Sequence, residues 1–363
     1  MTQNVVCREC GKLHTFEEYL VNRLCRNCGA WLKPNATSKE IVSLDARAPE
    51  KELIGLGRPV HTFSIVARDP KTGEIGVAVQ SHWFSVGSIV PWAEAGVGAV
   101  ATQSFVDPSY GPKGLDLMRS GKTAHEALKE LTAADPGEAV RQVAMVDFEG
   151  HVAVHTGKRC VEFAGHKTGK GYSVQANLML NTNVPAAMAK AFEETQSDLA
   201  RRMMAALEAA QGVGGDIRGK QSAAIIVVKS KSSGKPWEDR VVDLRVEDHP
   251  EPLKELRRLL NLARAYNHMN AGDAALEKKD FAQAMEEYGA AMKLAEDNVE
   301  IAFWSAFALA TNGKFDQALP LFKRVFMADK NWVEVLKRLP KAGLISDDDE
   351  GHTLLRRILG EAS

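Results

Sequence analysis

Four cysteines stand in two pairs near the start of the chain, Cys7-x2-Cys10 and Cys25-x2-Cys28, with fourteen residues between the pairs. A Cys-x2-Cys turn can aim two thiolates at one ion, and two such turns complete a tetrahedral four-sulfur site. Gly11 and Gly29 follow the pairs, and glycine there lets backbone N–H groups turn onto the sulfurs and offset their charge. Two redox dithiols are the competing chemistry. One pair would leave that reading open, but two pairs with glycines at this spacing favour zinc. Four sulfurs close the coordination shell, so the expected Zn2+ is structural and takes no substrate. His14 could compete as a ligand, although a surface-loop histidine is the plainer reading. The fifth cysteine, Cys160, has no partner in sequence and no local activating signature.

Elsewhere the composition is ordinary: 45% hydrophobic, 26% charged and a formal net charge of −1 over 363 residues. Nucleic acid or an anionic membrane as chief partner usually calls for a net basic surface. Residues 1–40 hold six Lys/Arg against four Glu, too small an excess for a nucleic-acid module. No apolar run is long enough to cross a bilayer. The opening MTQNVVCREC lacks a signal-peptide core, and four clustered cysteines are not a secreted disulfide framework, so a cytoplasmic location is expected.

The elements that must position any further chemistry fall into three blocks. Residues 1–36 read as the zinc ribbon and 37–60 as a linker of mixed charge and small residues, with a short strand at 41–44. From 61 to 250, Thr62–Ala67 and Ile75–Gln80 are strands joined by Asp69-Pro70-Lys71-Thr72-Gly73, a hairpin by its turn chemistry. Further strands are expected at Ser88–Trp92, Val97–Gln103, Val140–Asp147, His151–His155, Ala223–Val228 and Val241–Val246. Helices are expected at Leu115–Met118, Ala124–Leu131 and across 185–211. Strands, then helices, then strands indicate an α+β layered domain. No Gly-x-Gly-x-x-Gly or Gly-x4-Gly-Lys-Ser/Thr run supports a nucleotide fold.

From 251 to 363 the chain reads as helical. Phe281/Phe315, Ala274/Ala308, Ala284/Ala318 and Tyr288/Phe322 share an offset of 34 residues. That is the tetratricopeptide period of paired antiparallel helices. The resemblance to that repeat covers about 265–333, without the usual proline at the junction, which reads Asp297-Asn298. Two repeats need caps, expected from helices at 251–264 and 332–361. Such a stack either receives a protein partner or covers a face of the central domain.

Within 61–250, Thr-Phe-Ser-Ile-Val-Ala-Arg-Asp-Pro (62–70), Gly-Val-Gly-Ala-Val-Ala-Thr-Gln (96–103), Pro-Ser-Tyr-Gly-Pro (108–112) and Gly-Gly-Asp-Ile-Arg-Gly-Lys-Gln-Ser-Ala-Ala (214–224) occur in order. Together they resemble an uncharacterised family, domain of unknown function 1028, placed among the Ntn hydrolases. The resemblance implies an Ntn-hydrolase-like αββα sandwich and hydrolysis of a C–N amide bond in a small molecule or peptide. In that chemistry a Thr, Ser or Cys begins a strand and becomes a new N-terminus by self-cleavage. The freed α-amine, with an ordinary pKa of about 7.7–8.0, then serves as base.

The resemblance places Thr62 as that nucleophile, on condition that the bond between residues 61 and 62 is cut. Strand propensity alone also accounts for a threonine there. Ser64 shares the strand parity of Thr62, but as an internal nucleophile it would need a His or Lys base. Asn177 is the expected side-chain donor to an oxyanion. Ala176 stands where relatives are expected to carry glycine. Asp216 and Arg218, in a glycine-rich loop, could orient a substrate amide or carboxylate, or simply pin the strand that follows. Gln221 and Ser222 share that ambiguity, Ser81 could line the mouth, and His155 and His166 are available acid–base groups. The alternative to an enzyme is a non-catalytic interaction protein using the ribbon and the repeats. The partners expected are a substrate, a protein on the C-terminal helices and a second copy in a homo-oligomer.

Overall fold

The computed structural model describes residues 4–6, 13–15, 60, 62–346 and 348–362. Cys7, Cys10, Cys25, Cys28, His61, the short strand at 41–44 and all of the linker except Val60 lie outside the described residues. The chain divides into two compact units, Met1–Leu53 and Ile54–Ser363. In the first, β1 (Asn4–Val6) and β2 (Leu13–Thr15) pair antiparallel, with Val6 opposite Leu13. Cys7-x2-Cys10 therefore falls in the connection between two paired strands.

The second unit is built on two antiparallel sheets. One has the order β12-β11-β4-β3-β10-β9. Its strands are β3 (Thr62–Arg68), β4 (Ile75–Ser81), β9 (Gly165–Gly169), β10 (Tyr172–Ala176), β11 (Ser222–Val228) and β12 (Arg240–Val246). The other has the order β5-β6-β7-β8, from β5 (Pro91–Glu94), β6 (Gly98–Ser104), β7 (Arg141–Asp147) and β8 (Val152–Thr156).

Strand alternation sets the layers. On β3, Phe63, Ile65 and Ala67 pack among α3 (Val184–Glu194) and α4 (Leu199–Gly212), with Met188, Phe192, Met203 and Leu207. Val66, of opposite parity, packs with Val77, Val79 and Ile226 against Ala99, Ala101, Ala144 and Val146 of the second sheet. The outer face of the second sheet, through Val100, Val143 and Met145, is covered by Tyr110, Leu115, Met118 and Leu128. These come from α1 (Tyr110–Arg119) and α2 (Ala124–Ala134). The result is an α+β domain of four layers, helix–sheet–sheet–helix. Alanines on the inner face of the second sheet let the sheets approach closely.

Several elements differ from the sequence expectation, β9 and β10 among them, where no strand is expected. The strand expected at Ser88–Trp92 is a short 3-10 turn, Val86–Ser88, followed by β5. The helical stretch 185–211 is two helices, because the Asp198 carboxylate caps a new one by accepting from Arg201 N at 2.9 Å. The cap helix expected at 251–264 is continuous with the next one as α5 (Pro252–Glu277). In its first half Leu253, Leu256 and Leu260 are buried with Val242 and Val246 of β12, so the helix covers the sheet as well as beginning the repeats.

The second half of α5 lies along α6 (Phe281–Leu294), and α7 (Val299–Thr311) lies along α8 (Phe315–Ala328). Gly272 permits the first approach, since a Cβ there would sit 2.8 Å from Tyr288 Cε1. In the second pair Phe303 and Phe322 meet edge to face at 6.0 Å. The stack is closed by α9 (Asn331–Arg338) and α10 (Asp349–Ala362), whose Leu336, Ile358 and Ala362 join the Phe322 core. Among the described residues no helix is long and apolar enough to cross a membrane.

Candidate functional site

The space between the sheets changes character along the strands. At one end it is valine and alanine; at the other, the same inward positions carry amides and hydroxyls. On β3 these are Thr62 and Ser64, on β10 Ser173 and Gln175, on β6 Gln103 and on β7 Gln142, all fully buried. Buried polar atoms must pair with one another or lose the solvation that water gave them. Here they form one network. Ser64 Oγ donates to Gln103 Oε1 at 2.6 Å and accepts from Gln175 Nε2 at 2.6 Å. Ser173 Oγ donates to Gln175 Oε1 at 3.0 Å. Gln142 Oε1 accepts from Gln103 Nε2 at 2.7 Å and from Asn177 Nδ2 at 2.9 Å. Gln142 Nε2 donates to Ala176 O, Gly165 O and Thr156 Oγ1 at 3.0, 3.2 and 2.9 Å.

Thr62 sits at the edge of this network. Its carbonyl oxygen accepts from Gln103 Nε2 at 3.3 Å, from Asn177 N at 3.1 Å and from Asn177 Nδ2 at 3.5 Å. Its hydroxyl donates backwards to Val60 O at 3.0 Å. Val60 is itself fully buried and pairs with Ser104 at the end of β6, through N–H···O bonds of 2.6 and 3.0 Å. The chain thus passes from one sheet to the other between Val60 and Thr62, which pairs with Ser81 of β4. Ser104 and Leu178, on either side of this crossing, hold φ of +70° and +55°. A side chain in that region strains the backbone, and such strain gathers at functional sites.

Asp216 and Arg218 arrive at the same end of the six-stranded sheet. Asp216 bridges Met179, two residues past Asn177, and accepts from His82 N at 3.2 Å, one residue past Ser81. Arg218 grips the Asp216 carboxylate with Nε at 3.1 Å, Nη2 at 2.7 Å and its own backbone N at 2.9 Å. The Asp216 side chain is fully buried, whereas that of Arg218 is 28% exposed. A chelated, desolvated carboxylate of this kind holds its guanidinium in one pose.

All five expected site residues therefore converge on one sheet end. The partners of Ser64 are carboxamides, not a histidine or lysine. Gln221 N bonds Ser81 O at 3.0 Å, and Ser222 Oγ ties Val86 N at 3.0 Å and Trp83 O, so both pin the loop after β4. His155 is held on Glu138, and His166 reaches the network only through Thr156 Oγ1 at 2.9 Å. Burial, with His155 nearby, holds the His166 pKa below its ordinary value. Burial pushes the Cys160 thiol up, and its Sγ donates to Arg141 O at 3.3 Å, the opposite of an activated thiolate. Sequence reasoning missed Gln103, Gln142 and Gln175. The signal available was an amide at a buried parity within an otherwise apolar strand.

A four-layer domain with a buried amide network behind a strand-initial threonine is the class that fold and site define. Residues 62–256, more than half the chain, match the family of unknown function DUF1028, and the chain belongs to that family. Residues 275–339 match the tetratricopeptide repeat. A solved DUF1028 structure from Silicibacter pomeroyi is 32% identical over 55% of this chain and 84% of that one, with a TM-score of 0.50. Anbu (ancestral beta-subunit) from Yersinia bercovieri aligns at 11% identity over 55% of this chain and 93% of that one. Its TM-score is 0.29, too low to bear on the fold. No curated protein matches.

Proposed function

We propose that this chain is an amidohydrolase of the N-terminal-nucleophile type, with Thr62 as nucleophile once the bond between residues 61 and 62 is cut. The observation that carries the reading is the position of Thr62. It is the first residue of an inner strand, faces the second sheet and has Asn177, Asp216 and Arg218 gathered around its end of the six-stranded sheet. The freed α-amine takes the hydroxyl proton as Oγ1 attacks the carbonyl carbon of the amide. Asn177 Nδ2 exchanges its long 3.5 Å bond to Thr62 O for one to the resulting oxyanion. The intermediate collapses by passing the proton to the departing nitrogen, and water then hydrolyses the Thr62 ester. Arg218, fixed by Asp216, orients a carboxylate or amide oxygen of a small molecule or peptide.

In the intact chain Thr62 is buried and its hydroxyl is committed to Val60 O. The uncut protein is therefore expected to be inactive, and removal of Val60 opens the crossing between the sheets. Intact-mass analysis tests this: a fragment beginning at Thr62 appears in the wild type and is absent in Thr62→Ala. A full-length mass after long incubation, with any amidase activity unchanged in Thr62→Ala, would exclude it.

The pairing of Val60 with Ser104 favours a second reading, a non-catalytic protein whose helical repeats take a protein partner or a second copy. It predicts that the full-length mass persists. In either case we propose one structural Zn2+ on Cys7, Cys10, Cys25 and Cys28, supported by their spacing and by the strands flanking the first pair. Elemental analysis should find one zinc per chain, lost in Cys10→Ser. Metal-free wild-type protein with unchanged circular dichroism would overturn it.

A further inference from the structure

A cavity of about 400 Å³ lies away from Thr62, where the sheet meets the helical repeats. Its apolar wall is Val227, Val242 and Leu260, with Ala200 and Ala271. Its polar wall holds three carboxylates, Glu74, Asp198 and Glu287, against Arg264 and His268. Two of the carboxylates are already answered: Arg264 pairs with Asp198, and His268 Nδ1 lies 2.6 Å from Glu287. Arg264 and His268 are four residues apart on α5, so these two pairs occupy successive turns, about 6 Å apart along the wall.

Glu74 is different. Its bonds are to Thr72, whose hydroxyl lies 3.2 Å from Oε2, and no cation among the described residues pairs with it. Burial, then the like charges of Asp69 and Asp198, raise its pKa above the ordinary carboxylate value. A half-buried carboxylate with like charges beside it is held at a cost, which a cation from outside would relieve. An anion gains little here, because the one guanidinium is engaged by Asp198. No group of three or more ligating side chains suited to a metal ion occurs among the described residues, and the valine wall suits an alkyl chain.

We infer that this cavity is a binding site for a small aliphatic amine, its ammonium on Glu74 and its alkyl chain along Val227, Val242 and Leu260. The site is separate from the Thr62 chemistry and does not depend on it. Saturation-transfer NMR on the full chain, with n-hexylammonium and hexanoate as probes, tests the inference. The amine should receive saturable transfer and hexanoate none. Glu74→Gln should weaken the amine about tenfold, the loss of one charge-assisted contact. Ala271→Phe, which fills the cavity, should abolish binding. Circular dichroism checks that both variants are folded, and Glu74→Gln alone decides the matter if Ala271→Phe is not. Equal transfer to hexanoate, no transfer to millimolar amine, or undiminished amine binding in Glu74→Gln each overturns it.

Discussion

Replacing Gln142 by leucine tests whether the interior behind Thr62 is a closed polar network. Leucine keeps most of the volume and removes every polar contact of the side chain. It leaves one proton each on Gln103 Nε2 and Asn177 Nδ2 without the oxygen they share at 2.7 and 2.9 Å. It also strips a donor from Ala176 O and Gly165 O. An unpaired buried donor costs about 1–3 kcal/mol, so the two together cost roughly 2–6 kcal/mol, with the carbonyls pushing towards the upper end. Taking about 4 kcal/mol, and about 2–4 °C per kcal/mol for a domain of this size, the melting temperature should fall by roughly 8–16 °C. Differential scanning calorimetry of the full chain reads this directly. Ser173→Ala is the control, because its hydroxyl donates to Gln175 Oε1 at 3.0 Å and its removal orphans that one acceptor, a loss of about 1–3 kcal/mol. A fall for Gln142→Leu no larger than for Ser173→Ala would refute the reasoning. It would mean that water or rearrangement satisfies the orphaned groups and that Gln142 does not hold Asn177 against Thr62.

Two further outcomes follow from packing and capping. Gly272→Ala should destabilise the helical region by about 1–3 kcal/mol despite alanine's better helix propensity. The added Cβ meets a Tyr288 ring whose hydroxyl is tied to Asp273 at 2.5 Å, and thermal melts by circular dichroism check it. Glu126 accepts from Thr123 N and Oγ1, both at 2.8 Å, which holds its pKa below the ordinary carboxylate value. Its folded pKa is depressed, so its stabilisation is present above about pH 4.5 and is lost as pH falls through the folded value. Glu126→Gln should therefore melt below wild type at pH 7, with the gap closing under acid conditions.

Residue pattern alone made the β3–β4 hairpin, the shared face of Thr62 and Ser64 and the 34-residue helical period legible, because each is local. Alternation fixes strand parity from neighbours in sequence, and a turn such as Asp69–Gly73 announces itself. The two strands beside β3 on its other side were not legible. β9, Gly-His-Lys-Thr-Gly, carries no apolar rhythm, and β10, Tyr-Ser-Val-Gln-Ala, alternates Tyr172, Val174 and Ala176 with polar residues over only five positions, too short a run to announce a strand. The inward positions of β10 serve the amide network, and β9 is an exposed edge where lysine and glycine discourage further pairing.

The candidate site divides in the same way. Thr62, Asn177, Asp216 and Arg218 could be named from motifs, but nothing local brings residue 216 to residue 82, or residue 60 to residue 104. Those contacts exist only when two sheets close on each other, and their cost in chain entropy is repaid by the layers between. The sequence by itself named the candidate residues. Only the tertiary structure decided that Thr62 is buried with its hydroxyl on Val60, because burial and hydrogen-bond partner depend on strands far apart in the chain.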